Sequence, residues 1–137
     1  MSLSNLHQSA DNVQNDIYNC EALIASLEEQ VSDLRRIHSD MRDARSDVRD
    51  FRRGVRTFAN ESYQYWDGNL FREYQDFLRD EKLVNLRTVI DQISNNMVIV
   101  NNKRTELENE IFRQQGILGN LRATLNSIWT AIVNWVD

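Results

Sequence analysis

Apolar residues recur along the first half of the chain at alternating intervals of four and three residues. The series is Leu6, Ala10, Val13, Ile17, Cys20, Ile24, Leu27, Val31 and Leu34. This spacing is the heptad pattern of a helix that packs along one narrow seam against another helix. The series resumes at Ile37, Met41, Ala44, Val48, Phe51, Val55 and Phe58. Two steps of three then fall together and predict a stammer, a local overwinding of the supercoil, near Leu34.

The second half repeats the pattern. Its positions are Leu86, Ile90, Ile93, Met97, Val100, Arg104, Leu107, Ile111, Gln114, Leu118, Leu121, Leu125, Ile128, Ile132 and Trp135. Before this series, residues 70–78 form a wider aromatic face on the same predicted helix. Arg104 and Gln114 are polar residues at seam positions. Either they specify register and partner, or their long side chains extend out of the seam to water.

Helix breakers and cap formers cluster only in residues 60–69, near the centre of a chain of 137 residues that has four glycines and no proline. Two long amphipathic helices joined by one connection must fold back on each other to bury their seams. The sequence therefore predicts an all-α fold, an elongated antiparallel two-helix hairpin of coiled-coil type. We expect a single domain over residues 1–137, with helix 1 at about 4–60, the turn at about 61–68 and helix 2 at about 69–135.

Several apolar residues lie beside the seams rather than on them, and a two-helix hairpin cannot cover them all. They are Ile99, Phe112, Ile117, Trp129 and Val133. We therefore expect pairing with another hairpin, identical or different, in a four-helix assembly. The partner-facing candidates are Arg104, Phe112, Gln114, Trp129 and Trp135.

Nothing in the sequence predicts catalysis. The chain has one cysteine, Cys20, and two histidines, too few soft ligands for a zinc site. We expect Cys20 to be a small core residue, and the protein to be a non-enzyme without cofactor. No run of about 18 apolar residues is present, and the first residues lack the basic and apolar regions of a signal peptide. We expect no membrane insertion.

Residues 35–56 hold eight arginines and four aspartates in alternation. Three interpretations stay open: a solvated face with short-range ion pairs, contact with an acidic partner surface, or nucleic-acid binding. The third is disfavoured, since the four acids would repel phosphate and the net charge of the chain is −5.

The predicted turn contains Tyr65, Trp66, Asp67, Gly68 and Asn69 in succession. Trp66 offers a large apolar face that can plug the open end of a hairpin. Gly68 permits a backbone geometry or a close approach that a side chain would block. Either Asp67 or Asn69 can cap the second helix.

A Trp-x-Gly motif at the tip of a proline-free helical hairpin resembles the WxG family exported by the type VII secretion systems of Gram-positive bacteria. The longer motif, followed by an aromatic-rich helix, is similar to the small helical proteins encoded beside LXG toxins. The resemblance implies a partner or targeting factor that binds the helical N-terminal LXG segment of a toxin and helps to present it to the secretion machinery. It also implies a location in the bacterial cytoplasm, or co-export without a signal peptide.

The residues that this resemblance marks for recognition are Trp66, Gly68, Asn69, Phe77 and Glu81. Phe77 and Glu81 have the aromatic-to-acid spacing of the family's export signal, as do Tyr63 and Asp67 within the turn. The alternative function is a self-associating coiled-coil spacer with no role in secretion. A generic spacer has no need for Trp66 and Gly68 together at the turn.

Overall fold

The computed structural model describes residues 2–62 and 68–136, and in these ranges all regular structure is helical. Helix α1 spans Leu3–Asn60 and helix α2 spans Asn69–Phe77. A π-helical segment, Leu78–Lys82, joins α2 directly to helix α3, Leu83–Val133. The chain is an all-α helical hairpin, which confirms the fold class predicted from the heptad pattern.

The contacts divide the chain into two compact units. The first unit combines Met1–Asp33 with Lys103–Asp137, and the second is Leu34–Asn102. Each unit pairs a stretch of α1 with a later helical stretch that runs antiparallel to it. In the second unit, for example, Arg45 contacts Ser94 while the more C-terminal Ala59 contacts the earlier Arg79.

The first unit has a core built from the predicted seam residues. Ile17, Cys20, Ile24 and Leu118 are buried together. Val13, Ile111, Leu121 and Leu125 pack around them. The expectation that Cys20 is a small core residue is confirmed, because its side chain is buried and its Sγ lies 3.3 Å from the backbone oxygen of Gln114.

The seam of α1 in the second unit differs from the predicted register. After Leu34 the less exposed positions are His38, Met41, Arg45, Val48, Arg52, Val55 and Ala59. These positions continue the spacing of four and three without a break, so the predicted stammer is wrong. Four of the apolar residues that the prediction assigned to the seam each lie one position before an observed seam residue, and all four are exposed. They are Ile37, Ala44, Phe51 and Phe58.

Two arginines occupy this seam because each finds a hydrogen-bond acceptor on the facing helix. Arg45 Nη1 donates to Ser94 Oγ at 3.1 Å, and Arg52 Nε donates to the backbone oxygen of Leu83 at 3.0 Å. The methylene stem of arginine can line an apolar seam while its guanidinium reaches a polar partner. A register chosen from apolar residues alone therefore passes over these positions.

The C-terminus of α1 is capped by side chains from the segment that follows the turn. Gln75 Nε2 donates to the backbone oxygens of Phe58 at 3.1 Å and of Glu61 at 2.9 Å. Arg79 Nη1 donates to the backbone oxygen of Ala59 at 3.0 Å. The last carbonyl groups of a helix have no partner within the helix and carry partial negative charge. Gln75, which is buried, and the positive Arg79 supply the missing donors.

A pair of substitutions distinguishes the observed register of α1 from the predicted one. Phe51 is 64% exposed and Ile24 is 8% exposed. We expect Phe51→Ala to lower the free energy of unfolding by less than about 1 kcal/mol, and Ile24→Ala to lower it by about 2–5 kcal/mol. Urea unfolding followed by circular dichroism measures both. A cost of about 3–5 kcal/mol for Phe51→Ala, typical of a buried phenylalanine, would support the stammer register instead.

Removal of the Gln75 amide tests the capping of α1. We expect Gln75→Met to lower the free energy of unfolding by about 1–3 kcal/mol, because the carbonyl oxygens of Phe58 and Glu61 lose a buried donor while side-chain length is kept. The matched control is Gln92→Met at an exposed position of α3, with an expected change within about 0.5 kcal/mol. Equal effects of the two substitutions in urea unfolding would contradict the capping role.

Candidate partner-binding grooves

A shallow apolar groove lies beside the seam of the first unit. It has a volume of about 360 Å³. Its lining consists of Asp16, Asn19, Cys20, Leu23, Gln114, Ile117 and Leu121. Leu23 from α1 and Ile117 from α3 are exposed, although both are aliphatic. We name this surface the Leu23 groove.

A second groove, in the second unit, has an aromatic lining and a volume of about 440 Å³. It is formed by Asp50, Phe51, Gly54, Val55, Phe58, Tyr74 and Leu78. The ring of Phe58 meets the ring of Tyr74 edge to face, with a centroid distance of 6.2 Å, and Tyr74 stacks on Phe77 at 6.5 Å. We name this surface the Phe51 groove. The aromatic contacts hold its floor, while the Phe51 ring itself remains mostly exposed.

Three exposed apolar residues of α1 that line these grooves, Leu23, Phe51 and Phe58, share one heptad position with the exposed Ile37, which lines neither groove. Leu23, Ile37, Phe51 and Phe58 each come directly before an a position of the observed seam and are therefore g residues. A helix in a two-stranded coiled coil is apolar at a and d only, whereas a helix in a larger bundle is also apolar at e or g. The α1 pattern is thus the pattern of a helix with a further helical neighbour.

The predicted tip motif is only partly within the described residues. Trp66 lies outside them, as do Tyr63, Tyr65 and Asp67. Gly68 is the N-cap of α2, with φ of −98° and ψ of 163°. A methyl group at Gly68 would meet nothing within 4 Å among the described residues. The extended backbone of Gly68 is not the unusual conformation that was expected. No close approach to Gly68 is found among the described residues, and residues 63–67 lie outside them.

Asn69 is the first residue of α2 and is exposed, but its side chain does not cap that helix. Of the two expected caps, Asn69 does not cap the helix, because Gly68 occupies the N-cap position, and Asp67 lies outside the described residues. Phe77 is exposed and contacts Tyr74, and the Lys82 ammonium lies 5.8 Å from its ring centroid. Glu81 is exposed in the π-helical segment.

The two polar seam residues of α3 have different environments. Gln114 is buried, and its Nε2 donates to Glu110 Oε1 at 3.0 Å. Arg104 is half-buried and forms an ion pair of 3.0 Å with Glu108 one turn along the same helix. Gln114 therefore stays within the core of its unit, while the head group of Arg104 turns toward its own helix.

Glu110 is the one carboxylate whose pKa is clearly shifted among the described residues. Hydrogen bonds from Arg113 and then Gln114 lower its pKa from 4.5 to about 2. A depressed pKa means that this network stabilises the folded protein above about pH 4.5 and loses its effect as the pH falls toward 2. Because Glu110 is near the surface, the contribution is that of a screened ion pair.

The remaining partner-facing candidates lie in the first unit. Phe112 is 73% exposed on α3 and lines neither groove. The ring of Trp129 is half-exposed and meets the ring of His7 at a centroid distance of 6.0 Å, with an angle of 76° between the planes. Trp135 follows the end of α3, and its backbone nitrogen donates to the oxygen of Ile132. Trp129 thus contacts the N-terminal stretch of α1, whereas Phe112 faces solvent.

Sequence reasoning missed two features of these surfaces. The hydrophobic pattern gives no special role to Leu23, and it places Phe51 and Phe58 in the seam instead of on the surface. It also gives no sign of the capping by Gln75 and Arg79. A signal for the first was present, since an unbroken heptad series through His38, Arg45 and Arg52 leaves Ile37 and Phe51 outside the seam.

Neither a cluster of potential metal ligands nor a helix able to cross a membrane is found within residues 2–62 and 68–136. Comparison with protein-family models, with curated proteins and with solved structures finds no match to this chain. The candidate binding site is therefore inferred from the geometry of the two grooves.

Proposed function

We propose that this protein is a non-enzymatic interaction protein that binds a helical partner through the Leu23 and Phe51 grooves. The observation that carries the proposal is the exposed apolar g position of α1, repeated at Leu23, Ile37, Phe51 and Phe58. Exposed apolar side chains next to an already paired seam gain most when another apolar helix face covers them.

A groove between two helices accepts an amphipathic helix that presents apolar side chains at intervals of three and four residues. The Phe51 groove suits this mode, since it offers aromatic side chains, which are over-represented among the residues that dominate binding energy. Its floor is held by the contacts of Phe58 with Tyr74 and with Phe71, so a partner would meet an ordered surface.

For the identity of the partner, the resemblance of the tip motif to the WxG family supports the helical N-terminal LXG segment of a type VII secretion toxin. In this proposal the protein acts as a targeting factor that holds the segment and presents it for export. A second copy of the chain is the competing occupant, and it corresponds to a coiled-coil spacer.

Truncation of Phe51 tests the groove. We expect Phe51→Ala to weaken binding of the proposed LXG segment by about tenfold or more, because a well-placed aromatic anchor contributes about 2 kcal/mol. The matched control is Val98→Ala, since Val98 is exposed to a similar degree and lines neither groove. Isothermal titration calorimetry of the purified proteins measures the change.

Equal affinities of the wild-type chain and the Phe51→Ala variant for the LXG segment would contradict docking in the Phe51 groove. Sedimentation of the chain alone tests the competing occupant, which is a second copy of the chain. Dimers that dissociate in the Phe51→Ala variant and do not bind the LXG segment would instead support the spacer.

Trp66 provides a separate test of the secretion role. We expect Trp66→Ala to reduce export of the cognate toxin while the complex still forms, since the proposed recognition feature lies in the turn and the grooves lie along the helices. Gly68→Ala should leave folding almost unchanged, because the backbone at Gly68 is extended and open. Toxin secretion measured beside a pull-down gives both results, and normal export by the Trp66→Ala strain would reject the role of Trp66.

A further inference from the structure

Five arginines converge on one cavity of the second unit. The cavity has a volume of about 340 Å³ and is lined by Arg49, Arg52, Arg53, Arg56, Arg87, Ile90 and Asp91. Five arginines and one acidic residue thus line the same cavity, in a chain whose net charge is −5. We name this cavity the arginine pocket.

The observed register of α1 explains why positive charge collects here although the sequence alternates arginine with aspartate. Arg35, Arg42, Arg49 and Arg56 occupy four successive e positions, and Arg52 is at an a position of the seam. The acidic residues of the same segment occupy c and f positions on the outer side of the helix. They are Asp40, Asp43, Asp47 and Asp50. The helical turn of about 100° per residue therefore places these four e-position arginines on a different face from the aspartates. Arg53, at a b position, stays next to Asp50.

Acidic side chains of the protein neutralise only part of the positive charge of the arginine pocket. Arg53 pairs with Asp50 at 3.2 Å, and both side chains are well exposed, so the pair is weak. Arg52 uses its Nε for the backbone oxygen of Leu83. In the described part of the chain, no ion pair or side-chain hydrogen bond reaches Arg49, Arg56 or Arg87. Asp91 likewise forms no ion pair there, although it lines the cavity.

The Arg52 contact with Leu83 also holds part of the pocket lining in a fixed position. Its guanidinium is held by a backbone acceptor on α3, so one wall of the cavity has a defined position. Arg87 enters the lining from α3, one turn after Leu83, and Arg49, Arg53 and Arg56 enter it from α1. Donors from two helices that meet at one cavity can contact several faces of a compact ligand.

We propose that the arginine pocket binds a compact polyvalent anion of the di- or triphosphate class. Guanidinium groups present planar pairs of N–H donors that match phosphate oxygens, and arginine does not lose its charge at any physiological pH. The volume of the cavity holds a phosphate chain with part of what it carries. An extended nucleic-acid strand is less suited to it, because no aromatic side chain lines the pocket as a stacking platform.

Titration of the full-length protein with inorganic tripolyphosphate tests the proposal. We expect saturable binding that weakens as the salt concentration rises, and a thermal midpoint that increases with ligand concentration. Arg56→Gln and Arg87→Gln should each reduce the affinity about tenfold or more, since each removes a charge-assisted donor. Asp91→Asn should increase the affinity, because it removes the one negative charge in the lining.

Arg113→Gln is the matched control, since it changes net charge by the same amount in the first unit, where Arg113 pairs with Glu110. It should leave tripolyphosphate binding within about twofold, because interactions between distant exposed charges are largely screened. No detectable binding at low salt would overturn the proposal, as would an equal loss of affinity in Arg113→Gln.

Two further ligands identify the source of the anion. Adenosine triphosphate that binds more tightly than tripolyphosphate would indicate a nucleotide, and equal or weaker binding would indicate an inorganic phosphate chain; both results support the phosphate class. An acidic peptide of glutamates that displaces tripolyphosphate at equal concentration would overturn it and would assign the pocket to an acidic protein partner. The grooves are not involved in this test, so it can fail or succeed independently of the proposed function.

Discussion

The burial of one narrow seam between α1 and the facing helix determines which other residues of α1 are exposed and on which side of the seam they lie. In the first unit the seam is apolar around Ile17, Ile24 and Leu118, with the buried Gln114 as a polar member, and its burial stabilises the unit. In the second unit the same spacing continues through Arg45 and Arg52. Once the a and d positions of α1 are assigned, the e residues lie on one side of the seam and the g residues on the other. The arginine pocket and the Phe51 groove are the two results of this single assignment.

The seam arginines lower the stability of the fold, and their hydrogen bonds offset this loss only in part. Arg52 gains a backbone acceptor, and Arg45 gains the Ser94 hydroxyl, but the Nε of Arg45 is buried without a partner among the described residues. A buried donor that lacks an acceptor destabilises a fold by about 1–3 kcal/mol. Such polar seam residues are known to specify register in coiled coils at the expense of stability.

The sequence predicted α3 better than α1, and the reason lies in particular residues. From Leu86 to Ile132 the seam positions are apolar apart from Arg104 and Gln114, and the flanking residues are mostly polar, so only one register fits. In residues 37–59 of α1 the apolar residues Ile37 and Phe51 compete with His38 and Arg52 for the seam. Hydrophobicity alone favours the former pair, whereas unbroken heptad spacing favours the latter. The choice depends on acceptors such as Ser94 and the Leu83 carbonyl, which belong to the tertiary structure.

The contacts next to the turn and the charge distribution of residues 35–56 also depend on the tertiary structure and could not be predicted from the sequence. Nothing local in the sequence shows that Gln75 and Arg79 satisfy the carbonyl groups at the end of α1, because the donors follow the acceptors by 14 to 20 residues. In residues 35–56 the structure retains exposed ion pairs of arginine with aspartate, between Arg42 and Asp43 and between Arg53 and Asp50. Arg49 and Arg56 form no ion pair among the described residues, and Asp91 is the only carboxylate residue in the lining of the arginine pocket. The objection that the acids of this segment would repel phosphate therefore applies to Arg53, next to Asp50, more than to Arg49 and Arg56.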